Sequence, residues 1–297
     1  MTTASIRRGF TLVELLLSLV VTAIVGAALI RMVLGQAQFM DQQEAWRGAR
    51  SVARGGINRL LSDLRAVEAA NGIVAAAAGG QDFTIRVPYA FGVMCATNGT
   101  NSTLTLLPVD SIMFASPGYS GFAWRNNANG QYTIVNSGTM PAGGAAGTCT
   151  GAAPLPILAG SAGVVPSING SPVGRLVVVN GAIPNTTPPG TIFYLFRNIR
   201  YEFKDSGMLP GRTGLWRTTQ GVGGGTEELA APFANTARVN FYVLNNAAPQ
   251  AAVPGTLSEI RGLELVLDGM SERAPQGSAA AKTANVRTSV FFENRPD

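Results

Sequence analysis

A chain of 297 residues with a net charge of +5, no histidine and two cysteines excludes several functions before any motif is read. Without histidine there is no Ser-His-Asp triad, no histidine-bearing metal site and not the commonest general base; 22 basic against 17 acidic residues, scattered along the chain, do not argue for a nucleic-acid partner. Hydrophobic residues at 46% permit a sizeable core, and 36 glycines with 17 prolines point to long loops in one large domain or two small ones.

In chain order, Arg7-Arg8-Gly9 comes first, then an apolar run from Phe10 to Ile30 closed by Arg31. As a helix rising 1.5 Å per residue the run is about 31 Å long, one hydrocarbon thickness. A secretory signal has a shorter apolar core with a small-residue cleavage site after it. Arg7 and Arg8 hold their end in the cytoplasm by the positive-inside rule, which places everything after Arg31 outside the cytoplasmic membrane. Glu14 is the only charge inside the run. A carboxylate at the bilayer centre costs roughly 2.5–3.5 kcal/mol on insertion scales, so Glu14 is functional by default.

No proline precedes Pro88, so one helix from Phe10 to about Val67, roughly 87 Å long, is permitted. Its second half is amphipathic: Trp46, Ala49, Ala53, Ile57, Leu60, Leu64 and Val67 recur at spacings of three and four, with the charges largely elsewhere. Gly26, Gly35, Gly48 and Gly55-Gly56 lie within it, each costing about 1 kcal/mol relative to alanine. Asn71-Gly72 and Gly79-Gly80 mark the helix exit.

From Asp82 the period becomes two. Strands are expected at 82–87, 102–107, 111–114, 131–135, 175–179, 191–196, 198–203, 237–244, 260–267 and 286–292. Alternation is clearest where Ile199, Tyr201 and Phe203 interleave with Arg200, Glu202 and Lys204, and again at Val239, Phe241 and Val243. Such strands read as antiparallel, with one face on the stripe of the long helix. A Gly/Ala/Pro-rich insertion spans about 136–174, and 180–190 and 221–226 are further loops.

Other candidate sites are weak. Gly221–Thr226 lacks the lysine and the strand-to-helix context of a phosphate loop. Glu227-Glu228 and the pair Asp41, Glu44 read as solvated edges, and Tyr119, Trp124 and Trp216 as core or edge packing. Asn98, Asn101 and Asn185 fit a glycosylation triplet, a short pattern that carries little weight by itself. Cys95 and Cys149 are enough for one bridge outside the cytoplasm, closing a loop of about 55 residues worth roughly 4 kcal/mol in the chain-entropy model; two unpaired buried thiols are the other reading.

Gly9-Phe10-Thr11-Leu12-Val13-Glu14 resembles the prepilin cleavage and methylation signature of type IV pilins and type II secretion pseudopilins. The resemblance implies cleavage after Gly9 by a prepilin peptidase, N-methylation of Phe10, and a role in subunit assembly for Glu14, neutralising a neighbour's N-terminal amine. It implies an α+β fold: a leader (1–9), a membrane-spanning half-helix (10–31), an amphipathic half-helix (32–72), and a β-rich antiparallel head (73–297) outside the inner membrane. Gly26 and Gly35 become candidate soft points for unwinding on assembly, against close helix packing as the alternative. The implied partners are the peptidase, other pilins or pseudopilins, an inner-membrane assembly platform and membrane lipid; no cofactor, metal or nucleic acid is called for. The closing strands are similar to those of larger W-type minor pilins and J-type pseudopilins. A structural subunit is the first expectation and a pilus-tip binding module for adhesion or DNA uptake the alternative. A membrane-anchored enzyme lacks a recognisable nucleophile motif.

Overall fold

The computed structural model describes residues 11–68, 71–97, 100–114, 116–126, 128–143, 167–168, 171–172, 175–180, 183–244 and 246–292. Helix α1 (Leu12–Leu64) runs unbroken through all five of its glycines, about 80 Å at 1.5 Å per residue. Thr11 caps its start: the Thr11 Oγ1 accepts the Glu14 N–H at 3.3 Å, satisfying one of the orphan amides of the first turn. Gly26, Gly35, Gly48 and Gly55 face open space, so no packing within the chain requires them. Gly56 is different, since a Cβ there would come within 2.9 Å of Phe233.

The remaining elements are β1 (Ile73–Ala76), β2 (Asp82–Thr97), β3 (Asn101–Leu106), α2 (Pro108–Met113), β4 (Tyr119–Arg125), β5 (Tyr132–Asn136), β6 (Ala142–Gly143), β7 (Ser167–Ile168), β8 (Ser171–Pro172), β9 (Arg175–Asn180), β10 (Ile192–Asp205), β11 (Thr213–Thr219), β12 (Thr226–Phe233), β13 (Arg238–Val243), β14 (Ile260–Met270) and β15 (Thr283–Phe291). Apart from α2 and the β7–β8 hairpin they form one curled antiparallel sheet, in the order β13-β14-β12-β11-β10-β2-β3-β9-β6. Strands β1, β4, β5 and β15 join it at the sides. The fold is α+β, a long helix with an antiparallel head.

Two strands organise that head. β10 pairs with β2 from Ile192–Val93 to Glu202–Asp82. At one end their free edges take β11 and β1; at the other they take β4 and β3. The first end packs on α1: Ile57, Leu60, Leu64 and Val67 meet Phe83, Ile85, Ile199, Tyr201, Leu215, Phe233, Phe241 and Leu265 in one core. The second end builds a core without the helix, from Met94, Leu104, Leu106, Phe122, Trp124, Val177, Phe193 and Leu195.

A bulge lets the same strands serve both. Phe196 pairs with Pro88 but Leu195 with Ala90, so Tyr89 is the extra residue. Before it, odd-numbered residues of β2 (Phe83, Ile85, Val87) face the helix core; after it, even-numbered ones (Ala90, Met94) face the distal core. The extra residue flips the alternation, and a bulge is one of the few places in a sheet where proline is tolerated.

The expected alternation at Ile199, Tyr201 and Phe203 and at Val239, Phe241 and Val243 is observed, with these side chains buried and Arg200 on the other face bonded to Asp82 at 2.6 Å. Three expectations are corrected. The strand at 111–114 is instead part of α2, whose Pro108 sits at the first helical positions, where its fixed φ and missing N–H suit a helix. The two strands at 191–196 and 198–203 are one, β10. Trp46 lies outside the buried stripe, 39% exposed, because burial of α1 begins at Ala49. Strands β1, β4, β11 and β12 had not been expected as separate elements. Most of the 136–174 insertion lies outside the described residues.

The helix is seated by close backbone approach. A Cβ on Gly269 of β14 would lie 2.2 Å from the Ala49 carbonyl oxygen and 3.1 Å from the Ala53 Cβ. Gly269→Ala is expected to destabilise the folded chain by about 1–3 kcal/mol through overpacking, read as thermal unfolding of detergent-solubilised protein. Gly225→Ala, which meets nothing within 4 Å, should stay within about 0.5 kcal/mol of wild type.

Candidate functional site

Among the described residues, α1 is the one helix long and apolar enough to cross a membrane. From Leu12 to Met40 its large apolar side chains are exposed, 52–76% of each, and so are uncovered by the head. Within this half Glu14 stands on the first turn, exposed and beside the cap. Thr11-x-x-Glu14 has the spacing of a capping box, in which a threonine and a glutamate three residues apart serve the first turn. The sequence pattern carried that signal, and the sequence reading passed over it. A carboxylate also suits the positive end of the helix dipole there. Gly9 and Phe10 lie outside the described residues.

The second half of α1 is pinned to the head by three carboxylates. Asp41 accepts from Arg273 at 3.1 Å and from the Gln276 N–H. Asp63 accepts from the Tyr201 hydroxyl at 2.5 Å and from Arg217 Nε at 3.0 Å. Glu68, just past the helix, is buried and accepts from the Tyr194 hydroxyl at 2.8 Å. Asp41 is therefore not a solvated edge. On β12, Glu227 is a solvated edge residue that also pairs with Arg217 at 3.3 Å, whereas Glu228 accepts the Gly207 and Met208 amides. Glu68 follows Leu64 by four residues, so a carboxylate at the next stripe position was the available signal for that pin.

Burial raises the Glu68 carboxyl above the usual range, opposed by the Tyr194 hydrogen bond and the charge of Arg86. The Tyr194 and Tyr201 phenols are pushed far up, by burial first and then by the charge of, and hydrogen bond to, Glu68 and Asp63 respectively. Arg86 stacks over the Phe196 ring at 4.8 Å and bonds the Asn71 carbonyl, its guanidinium lowered by burial.

Tyr119 and Trp124 are core residues and Gly221–Thr226 is a turn between β11 and β12. Cys95 on β2 is buried and is not a free thiol; Cys149 lies outside the described residues. Among the described residues no group of three or more His, Cys, Asp or Glu could hold a metal ion.

The helix is apolar and exposed over its first half and carries the β head on its second. Residues 5–30 match the family model described as the prokaryotic N-terminal methylation motif, the prepilin signal of type IV pilins and pseudopilins. The match supports a type IV pilin-like or pseudopilin protein. No curated protein and no solved structure matches the chain.

The raised phenols give a pH dependence. An acid whose pKa rises on folding contributes stability that is complete below its unfolded value, about 10 for tyrosine, and is lost as pH climbs beyond it. Melting temperature should fall above about pH 10. Tyr201→Phe should cost about 1–2 kcal/mol at neutral pH through the lost hydrogen bond to a charged acceptor, and make the alkaline fall shallower. Circular dichroism melts from pH 7 to 11 measure both.

Proposed function

We propose that this chain is a minor pilin or pseudopilin, a structural subunit of a type IV pilus or type II secretion pseudopilus and not an enzyme. One observation carries the reading: the methylation motif heads a helix whose apolar half is bare and whose first turn bears that half's only carboxylate. The precursor sits in the inner membrane with its N-terminus cytoplasmic. A prepilin peptidase cuts after Gly9, Phe10 is N-methylated, and an inner-membrane platform passes the subunit into a helical filament with other pilins. In the membrane, lipid covers the bare half; in the filament, neighbouring helices do.

Glu14 is costly alone in an apolar surrounding and is compensated by the Phe10 ammonium of an adjacent subunit, an ion pair that sets register. The separate distal core, built without the helix, adds bulk to the head and favours a low-copy tip or priming position over the shaft. Outside the cytoplasm Cys95 pairs with Cys149, tying the Gly/Ala-rich insertion to the sheet.

Mass spectrometry of mature protein is expected to find methylated Phe10 as the N-terminus; an intact Met1 in assembled material would overturn the reading. Gly9→Ala should slow or abolish cleavage and leave membrane insertion intact.

Glu14→Gln should insert and be cleaved like wild type but enter sheared filaments poorly, and Glu14→Leu should assemble no better. Wild-type incorporation of either variant would show that this ion pair does not drive assembly.

A further inference from the structure

Alongside the head, α1 carries Arg47, Arg50, Arg54 and Arg59, with Arg65 just past its end, all exposed. None forms an ion pair with a described residue, whereas Asp41 and Asp63 of the same helix are engaged by the head. Glu44 is the one carboxylate on this stretch of the helix without an ion pair among the described residues. Arg47, Arg50 and Arg54 follow one another at spacings of three and four, which puts them on one helical face. Trp46 is exposed beside them, with the Arg50 guanidinium 5.9 Å from its ring centroid. Gln43, Trp46, Arg47 and Arg50 line a shallow surface cleft. Like charges four apart, such as Arg50 and Arg54, weaken a helix left to itself, and among the described residues of the head no carboxylate forms an ion pair with them.

We propose that this face is a docking surface for an acidic helix on a different subunit, with Trp46 as its apolar anchor. The inference rests on the filament reading above, in which neighbours stand side by side on parallel N-terminal helices. Charge decides the occupant. A second copy would bring the same three arginines, and its α1 would offer Glu44; the nearby Glu272 stands next to Arg273. Three guanidiniums facing one free carboxylate disfavour self-pairing, and like-charge juxtaposition selects against wrong partners. Lipid headgroups are too far. Arg47 lies about 26 Å and Arg54 about 36 Å beyond Ile30 along a helix rising 1.5 Å per residue, more than snorkelling spans.

The test is a two-hybrid assay in the membrane between the full chain and each prepilin-type subunit of the same secretion or pilus system. One partner, with Asp or Glu on its helix at the matching height, is expected to bind wild type. Arg47→Glu/Arg50→Glu/Arg54→Glu should reduce that signal roughly tenfold or more, and reversing the partner's carboxylates to Arg should restore it. The exposed sites should leave the melting temperature unchanged, and the triple Gln variant should give an intermediate loss. Undiminished binding by the Glu variant would overturn the proposal. So would self-association through this face, or arginine-dependent binding of purified chain to phosphatidylglycerol vesicles or to a DNA duplex. If Phe10 is methylated and the Glu variant enters filaments at the wild-type level, this inference fails while the filament reading stands.

Discussion

Close approach of two backbones, α1 at Ala49 and Ala53 and β14 at Gly269, sets where the head sits on its helix. A sheet packs on a helix this tightly only where side chains are small on both sides. Ala49, Ala53 and Gly56 supply that surface on α1, and Ile57, Leu60 and Leu64 then fill the core below it. Side-chain size limits sliding in one direction, since a shift that puts Ile57 in the place of Ala53 would bring a large side chain against Gly269. Asp41, Asp63 and Glu68 hold the same register by ionic and hydrogen bonds. The large apolar side chains of the described residues N-terminal to Asp41 are thereby left exposed.

That division explains the composition. One half of α1 is apolar all round with a single carboxylate; the other is apolar on one face and basic on another. The first half leaves a long apolar surface uncovered, and on the second, which packs on the head, arginines four apart disfavour the helix by about 0.2–0.5 kcal/mol per pair. Lipid or neighbouring helices would cover the first half, and the acidic partner helix proposed above would relieve the second.

The helix was legible in the sequence because its signals are long and redundant: no proline before Pro88, sustained periodicity, and a motif of fixed order around Gly9. Strands with strict alternation, such as the half of β10 around Tyr201, were equally plain. What failed was local. Pro88 and the bulge at Tyr89 break the alternation of β2, so only its first third was read as a strand. Residues 111–114 are too few for a period to distinguish strand from helix. The pins at Asp63 and Glu68 were obscured because carboxylates on a helix read as solvated until the sheet places Tyr201 and Tyr194 over them. Glu14 stood out because nothing else in its surroundings is charged.

The continuity of β2 and β10 through both cores has a mechanical meaning. These two strands alone contribute residues to the helix-bound core and to the distal one. A pull on the distal lobe therefore reaches the helix along two uninterrupted lengths of polypeptide, and covalent bonds transmit the tension. β10 and β2 are also held to each other along their whole pairing, whereas an outer strand such as β5 or β6 is held by one neighbour only. The two longest strands are where the head resists a pull along this line.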